Sequence, residues 1–233
     1  MSLTDSIDDL LRQMSSDFWF GGLDVHERRV LLSSFEPMNL LAGEYVFRKD
    51  DQPDGIYGLV NGVLKASTLR EDGKEAILAV LEAGNWFGES SVIDGMPRGH
   101  DFMALVPSRV LHVQQQHCEE LLRHSTFARA LARLQSMHLR AVYAMLEDAT
   151  LRSTRARVAR RLRRLASGDA TPRSTERHAI PITQENLAMM LGISRQTLVL
   201  ELKVLAAHGA ISIGYGRVKI ESMGQLREFE LDP

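Results

Sequence analysis

TQENLAMMLGISRQTL, residues 183–198, joins two short helical patterns through a single glycine, Gly192. Ala188 is small where two helices would cross closely, and Gly192 can adopt the positive φ that other residues resist. Four apolar residues would fill the space between the helices: Leu187, Leu191, Ile193 and Leu198. Ser194 is a good N-cap for the second helix and places Arg195 and Gln196 in its first turn. The stretch therefore predicts a helix-turn-helix, whose second helix reads base edges in the major groove.

The residues that follow favour a winged form of this motif. Ile211 to Ile220 forms a hairpin pattern turning at Gly214-Tyr215-Gly216, with Arg217 beside the turn. Arg can hold guanine with two hydrogen bonds and Gln can hold adenine in the same way, so Arg195 and Gln196 are the predicted base readers. An ordinary helical hairpin is the alternative. The predicted DNA-binding residues are Thr183, Gln184, Ser194, Arg195, Gln196, Thr197, Leu200, Lys203 and Arg217, with Thr183, Ser194 and Lys203 on phosphates.

The charge of the chain is segregated along its length. The net charge is −2, but residues 1–150 carry a net −8 and residues 151–233 a net +6. Cations attract a phosphate backbone and release its counterions. The distribution therefore indicates that only the second half meets a polyanion, unless its arginines merely solvate a helix face.

Short apolar runs separated by turn residues fill the region from Met38 to Val113. Asn61-Gly62 and Asp72-Gly73 are hairpin signals, because both residue types tolerate the positive φ of tight primed turns. The pattern predicts an all-β sandwich or barrel.

Past Gln116 the pattern is helical to about Thr150, longer than a usual globular helix. Apolar residues with one glutamine recur there at alternating spacings of four and three, which is typical of a coiled-coil seam. Packing of this stripe on the β region is the alternative. The seam residues are Ala128, Ala132, Gln135, Leu139, Val142, Leu146 and Ala149, of which those from Ala132 onward are the predicted dimer interface.

The chain is thus expected to have three parts: residues 1–116, a β domain with N-terminal helices; residues 117–151, one long dimerisation helix; and residues 152–233, a winged helix-turn-helix domain. Ser153 is the expected N-cap of a helix from Thr154 to about Ala166. A polar loop is expected over 168–179.

Cysteine usage and the N-terminus exclude several classes of protein. A single cysteine, Cys118, allows neither an intramolecular disulfide nor a four-cysteine zinc or iron–sulfur site, and it suits a reducing compartment. The N-terminus lacks signal-peptide features, and no apolar run is long enough to span a membrane. These features predict a cytoplasmic protein without a membrane partner.

In this order of parts the chain resembles the Crp/Fnr superfamily of bacterial transcription regulators, from about Phe18 to Ile220. The matching segments are Gly43-Glu44-Tyr45-Val46-Phe47, Ile56-Tyr57, Asn61-Gly62-Val63-Leu64-Lys65, Asp72-Gly73-Lys74-Glu75, Phe87-Gly88-Glu89, and Ile182-Thr183 through Leu205. The resemblance implies an α+β chain with an N-terminal β-roll (a double-stranded β-helix) of the cyclic-nucleotide-binding type, a long dimerisation helix and a C-terminal winged helix-turn-helix. It also implies a homodimer on an inverted-repeat operator in double-stranded DNA, a small effector, and RNA polymerase as a partner.

The recognition helix departs from the family's best-known activators, which read Arg-Glu-Thr-Val-Gly-Arg where this chain has residues 195–200, RQTLVL. Gln196 removes an acceptor for cytosine, and Leu200 offers only apolar contact in place of a second arginine. The operator should therefore differ from theirs. Glu201 stands where the family usually buries an aliphatic residue, and the sequence alone gives it no role.

The resemblance also implies an effector site. In members that bind cyclic nucleotides, a Gly-Glu pair precedes an Arg-Ser pair by about ten residues, and the matching residues here are Gly88, Glu89, Ser90, Arg98 and Gly99. Arg98 would hold a phosphate, and Glu89 would accept from a ribose hydroxyl. Gly99 replaces the serine, and Val142 and Tyr143 replace a Thr-Ser pair on the long helix. These departures argue against specific recognition of cAMP; the effector stays unidentified, and another cyclic nucleotide stays possible.

Several alternatives remain open from the sequence. Glu89 and Arg98 could simply pair to hold a loop, or a histidine such as His100 could ligate haem or a metal. A cyclic-nucleotide-binding protein that regulates a protein partner would not need the helix-turn-helix. A cupin-like metal enzyme would need a His-x-His motif, which the sequence lacks. We therefore expect neither an enzyme nor a metal site, and we expect Cys118 to be inert.

Overall fold

The computed structural model describes residues 7–15, 17–33, 35–170 and 177–231. The predicted polar loop over 168–179 lies partly outside these residues. The helices are α1 (Ile7–Met14), α2 (Phe18–Gly21), α3 (Val25–Ser33), α4 (Glu89–Asp94), α5 (Gln115–Leu122), α6 (Ser125–Leu151), α7 (Thr154–Ser167), α8 (Gln184–Leu191), α9 (Arg195–Ala207) and α10 (Met223–Glu230). The strands are β1 (Phe35–Leu40), β2 (Tyr45–Phe47), β3 (Gly55–Asn61), β4 (Val63–Leu69), β5 (Glu75–Glu82), β6 (Trp86–Phe87), β7 (Asp101–Ala104), β8 (Ser108–Gln114), β9 (Ala179–Ile180), β10 (Ile211–Gly214) and β11 (Arg217–Ile220). The predicted α+β class is confirmed.

The chain divides into two compact units. The first contains the described residues up to Thr68, then Ala79–Leu139 and Ala170; the second contains Leu69–Leu78, Arg140–Asp169 and the described residues from Arg177 onward. Helix α6 runs from the first unit into the second. Within the described part of the chain, no helix is long and apolar enough to cross a membrane.

Two four-stranded sheets form the predicted β-roll, in the orders β1-β8-β3-β6 and β2-β7-β4-β5. Residues of β3 are buried on both faces, which explains why its sequence is a continuous apolar run rather than an alternating one. Tyr57 and Leu59 point into the roll, where they pack with three phenylalanines, Phe47, Phe87 and Phe102.

The other face of β3 is covered by helices. Ile56 and Val60 pack there with residues of α1, α2, α5 and α6. Gly58 is required between them, because a Cβ at this position would lie 2.9 Å from the buried indole of Trp86. Helix α3 begins just after Asp24, whose carboxylate accepts from the Glu27 backbone N–H at 2.7 Å.

The predicted single helix over 117–151 is wrong. Helix α5 ends at Leu122, where His124 N donates to Leu121 O, and α6 begins at Ser125. The break has a packing reason. Cys118 and Leu121 of α5 and Phe127 of α6 all enter one apolar cluster, and the change of direction brings the α6 residues onto it. The three-part division of the chain stays a proposal.

The second unit carries the predicted winged helix-turn-helix. Ser153 caps α7 by accepting from the Ala156 backbone N–H at 3.2 Å, as expected. Strands β10 and β11 form the wing hairpin, and β9 pairs with β11 to complete a three-stranded sheet. Helix α10, which the sequence did not lead us to expect, packs on α7 through Leu226 and Glu230, both buried.

Candidate nucleic-acid interface and effector site

The helix-turn-helix is built by two side-chain caps and one left-handed glycine. Thr183 Oγ1 accepts from Asn186 N at 3.1 Å to start α8, and Ser194 Oγ accepts from Thr197 N at 3.0 Å to start α9. Between the helices, Gly192 has φ 65° and its N–H returns to carbonyls of α8. The cap at Ser194 and the left-handed Gly192 were predicted from the sequence, whereas the cap at Thr183 was not.

The exposed residues of α9 are distinct from those that pack in the core of the unit. Leu198, Leu202 and Leu205 are fully buried, whereas the predicted contact residues Arg195, Gln196, Leu200 and Lys203 are exposed. Leu200 is 63% exposed, so its side chain is accessible to a ligand. Thr183 and Ser194 are exposed, but their hydroxyls already cap helices; Gln184 and Thr197 are half-buried.

The wing ends in the two-residue turn Tyr215-Gly216. Gly214 pairs with Arg217 across the hairpin, and Gly216 has φ 64°. Arg217 is exposed, and among the described residues it has no ion pair. The same holds for Arg195 and Lys203, so these three cations of the second unit are available to an external anion.

The arginines of α7 are not available in this way, which the charge count did not reveal. Each is held by a group of the second unit: Arg155 by Glu201, Arg157 by Leu191 O, Arg160 by Asp148, Arg161 by Asp169, Arg163 by Glu230, and Arg164 by Ala141 O. Much of the positive charge of residues 151–233 therefore binds the helices of the unit to one another.

In the first unit, Arg98 is 1% exposed and its guanidinium is held by internal acceptors. It bonds the Asp54 carboxylate, Gly55 O at 2.7 Å and Gly88 O at 2.8 Å, and it lies 4.3 Å above the Phe47 ring. Burial raises the pKa of Asp54, but hydrogen bonds from Tyr57 and Arg98 and the nearby positive charges outweigh it and hold that pKa below its usual range.

Glu89 is also buried, but its partner is His138 rather than Arg98. His138 Nδ1 lies 2.7 Å from Glu89 Oε1, and Ser90 Oγ donates to Gln135 Oε1 at 3.0 Å. The proposed pairing of Glu89 with Arg98 is therefore wrong, since each has another partner. The structure instead binds α4 to α6 through two side-chain contacts, which the sequence analysis missed because the four residues are far apart in the chain.

Of the other predicted effector residues, Gly88 has a left-handed backbone conformation and the rest are exposed. Gly88 has φ 89° and is half-buried, Gly99 is exposed, and Val142 and Tyr143 are exposed on the part of α6 that belongs to the second unit.

The candidate metal and redox residues have ordinary surroundings. His100 contacts Thr68 Oγ1 at 3.1 Å, and no cluster of three or more metal-ligating side chains occurs among the described residues. Burial raises the pKa of Cys118 to about 11, against smaller opposing effects of a backbone hydrogen bond and the charge of Arg98. A buried thiol with a raised pKa is expected to be unreactive.

The predicted dimer stripe lies on an exposed face of α6, beside the face that packs on the roll. Phe127, Leu131 and Leu134 are buried in the core. Leu139, Val142 and Leu146 are 49%, 54% and 60% exposed; Ala132 and Ala149 are exposed, and Gln135 and Ala128 are half-buried.

Comparisons with known proteins agree with both units. A family model described as cyclic nucleotide-binding domain matches residues 37–125, and one described as Crp-like helix-turn-helix domain matches residues 156–229. The chain is 28% identical over 210 residues to the cyclic AMP receptor protein of Thermus thermophilus, which covers 90% of this chain and 94% of that protein. It is 25% identical to the CRP-like cAMP-activated global transcriptional regulator of Mycobacterium tuberculosis, covering 83% and 88%.

A solved structure, FixK2 from Bradyrhizobium japonicum, shares the fold with a TM-score of 0.74 at 19% identity, covering 85% of this chain and 98% of that one. The helix-turn-helix family model and the relatives are those of regulators of transcription rather than of enzymes. The two matched regions, in this order and joined by the long helix, cover more than half of the chain, which belongs to the Crp/Fnr family of transcriptional regulators with a helix-turn-helix DNA-binding domain.

Proposed function

We propose that the protein is a homodimeric regulator that binds an inverted-repeat operator through α9 and the wing of each protomer. The observation that carries this proposal is the exposed surface of α9, where Gln196, Leu200 and Lys203 lie opposite the buried leucines and Arg195 is exposed in the first turn. Arg195 and Gln196 read bases, Leu200 contacts a thymine methyl group, and Lys203 and Arg217 bind phosphates. RNA polymerase is the expected partner at the promoter.

In vitro selection from random double-stranded DNA tests this proposal. We expect two half-sites whose centres are about 34–36 Å apart, one helical turn, as for other two-fold helix-turn-helix dimers. Arg195→Ala should cost about 1–3 kcal/mol and relax one base position, whereas Lys203→Ala should weaken binding to all sequences alike. Recovery of the half-site of the family's cAMP receptors, unchanged, would contradict the roles given to Gln196 and Leu200.

The dimer rests on the exposed α6 stripe of Leu139, Val142 and Leu146. Leu139→Asp with Leu146→Asp should give a monomer in sedimentation at micromolar concentration, because the aspartates would be buried without partners in the interface. Both leucines are exposed in the protomer, so its folding should not suffer. Ser136→Asp with Arg140→Asp, two exposed positions off the stripe, is the matched control and should remain dimeric. A wild type that sediments as a monomer would refute the dimer.

We further propose that the β-roll binds a small anionic effector at Arg98. Because Asp54 already occupies the guanidinium, the effector must compete with an internal carboxylate, and affinity should be higher in Asp54→Asn than in the wild type. Calorimetry with cAMP, cGMP and cyclic di-GMP, repeated on Arg98→Ala, is the test. Equal binding to wild type and Arg98→Ala would refute the role of Arg98. If no anion binds even Asp54→Asn, Arg98 has a purely structural role.

A further inference from the structure

Glu201 lies in the middle of the recognition helix α9 and forms an ion pair with α7. Its Oε2 lies 2.9 Å from Nε of Arg155, which is in the first turn of α7. The side chains are 19% and 36% exposed, respectively, so the carboxylate is mostly withdrawn from solvent. The two residues are 46 positions apart in sequence, and the contact therefore fixes one helix of the unit against another.

The position of Glu201 on α9 makes this contact more than a surface ion pair. At 100° per residue, Leu198, Leu202 and Leu205 form a single stripe facing the core, and Glu201 lies on the flank beside that stripe. The leucines hold the helix against the core through contacts that have no preferred direction. A hydrogen-bonded charge pair on the flank, in contrast, has a defined direction.

Rotation of α9 matters because its exposed side chains must meet base edges. With a helix radius of about 5–6 Å including side chains, a rotation of about 10° displaces their contact atoms by about 1 Å. Such a displacement is as large as the tolerance of a well-positioned binding group. The contact between Arg155 and Glu201 therefore affects how accurately Arg195 and Gln196 are positioned against the bases.

Helix α7 also contacts α8. Arg157 of α7 donates to the carbonyl of Leu191, the last residue of α8, where unpaired carbonyls carry partial negative charge. Two arginines of α7 thus reach the two helices of the helix-turn-helix separately. Only the Arg155–Glu201 contact, however, involves a side chain of the recognition helix.

We propose that Arg155 and Glu201 are positioning residues that set the rotation of the recognition helix and so determine how sharply the protein discriminates its operator from other DNA. The inference rests on the operator binding proposed above. The pair touches no base itself. It acts by holding Arg195 and Gln196 in register with the bases they read.

The test compares operator and random-sequence DNA in a binding assay at one salt concentration, for the full-length protein. Arg155→Gln and Glu201→Gln should each lower the ratio of specific to non-specific affinity by about 5- to 50-fold, comparable to the loss of one base contact. The double variant should be no worse than either single one, because each change already breaks the same pair. The reversed pair, Arg155→Glu with Glu201→Arg, should restore most of the ratio.

Two controls separate positioning from charge and from stability. Glu185→Gln removes one exposed carboxylate from α8, has no ion pair among the described residues, and should leave the ratio unchanged. Thermal unfolding of each variant reports loss of fold, which would lower both affinities together.

The outcomes also distinguish this inference from the function on which it rests. A wild type with no preferred sequence would contradict the operator proposal and this inference with it. A wild type that discriminates would contradict this inference alone if both single variants keep the wild-type ratio, or if the reversed pair stays as poor as the single variants.

Discussion

Arg98 illustrates what a buried cation requires from its surroundings. A guanidinium with 1% exposure needs acceptors for its N–H groups, and here two carbonyls and the Asp54 carboxylate supply them at its two Nη groups. Asp54 in turn accepts from the Tyr57 hydroxyl at 2.6 Å. Burial and, to a lesser extent, this hydrogen bond raise the pKa of Tyr57 far above its ordinary value. An incoming anion at the Nη groups of Arg98 must therefore displace existing bonds, whereas the buried Nε has no hydrogen-bond partner among the described residues.

His138 makes a prediction at the same scale. Burial lowers its pKa, but the hydrogen bond and charge of Glu89 outweigh this, so the pKa is raised above its ordinary 6.5. The protonated pair therefore stabilises the fold fully below pH 6.5, and this stabilisation is lost as the pH rises through the raised pKa. His138→Gln should cost about 1–2 kcal/mol at pH 6 and clearly less at pH 8.5, measured by urea unfolding at one protein concentration.

The control for this prediction is His26→Gln. His26 is exposed and has no side-chain hydrogen bond among the described residues, so its replacement should leave the pH dependence of stability as in the wild type. A cost for His138→Gln that is the same at both pH values would mean that the pair does not depend on the charge of the imidazole.

Among the elements, those with local signals were predictable from the sequence. The caps Asp24, Ser153, Thr183 and Ser194 act on backbone groups three residues away, so the signal for each is local in the sequence. The break between α5 and α6 has no such signal. It follows from where Phe127 must go in the core, which depends on helices far away in the chain.

The contacts that sequence reasoning missed are also long-range. The pairs Glu89–His138 and Arg155–Glu201 join residues 49 and 46 positions apart, so no spacing rule applies to them. A signal for the second pair existed, because Glu201 is a charged residue where the family usually buries an aliphatic one. Its partner could be identified only from the packing of α7 on α9.

The turn of the helix-turn-helix gives a prediction at the scale of the element. Gly192 has φ 65°, and a Cβ built there meets no atom within 4 Å, so the cost of substitution is conformational strain alone. Gly192→Ala should destabilise the DNA-binding domain by about 1 kcal/mol, and Gly192→Asn by less, because asparagine tolerates the left-handed region. Chemical denaturation of the two variants checks this order, and the reverse order would contradict the strain argument.

Over the whole chain, the two halves do carry opposite net charge. The positive charge of the second half, however, is not all available to DNA. A count of residues 151–233 treats every arginine as available to DNA, whereas the six arginines of α7 contact groups of their own unit. The cations available for DNA are a smaller set that includes Arg195, Lys203 and Arg217. The protein should thus contact fewer phosphates than the net charge of residues 151–233 suggests.

The salt dependence of DNA binding measures the number of phosphate contacts. Each phosphate contact contributes about 0.9 to the slope of the logarithm of affinity against the logarithm of salt concentration. A dimer contains two copies of Lys203, so Lys203→Ala should reduce the slope by about 2. Arg160→Gln removes the same charge from α7 but should leave the slope unchanged, because Arg160 faces Asp148, which also keeps Arg152 as a partner. Equal reductions in both variants would show that α7 lies on the phosphate backbone after all.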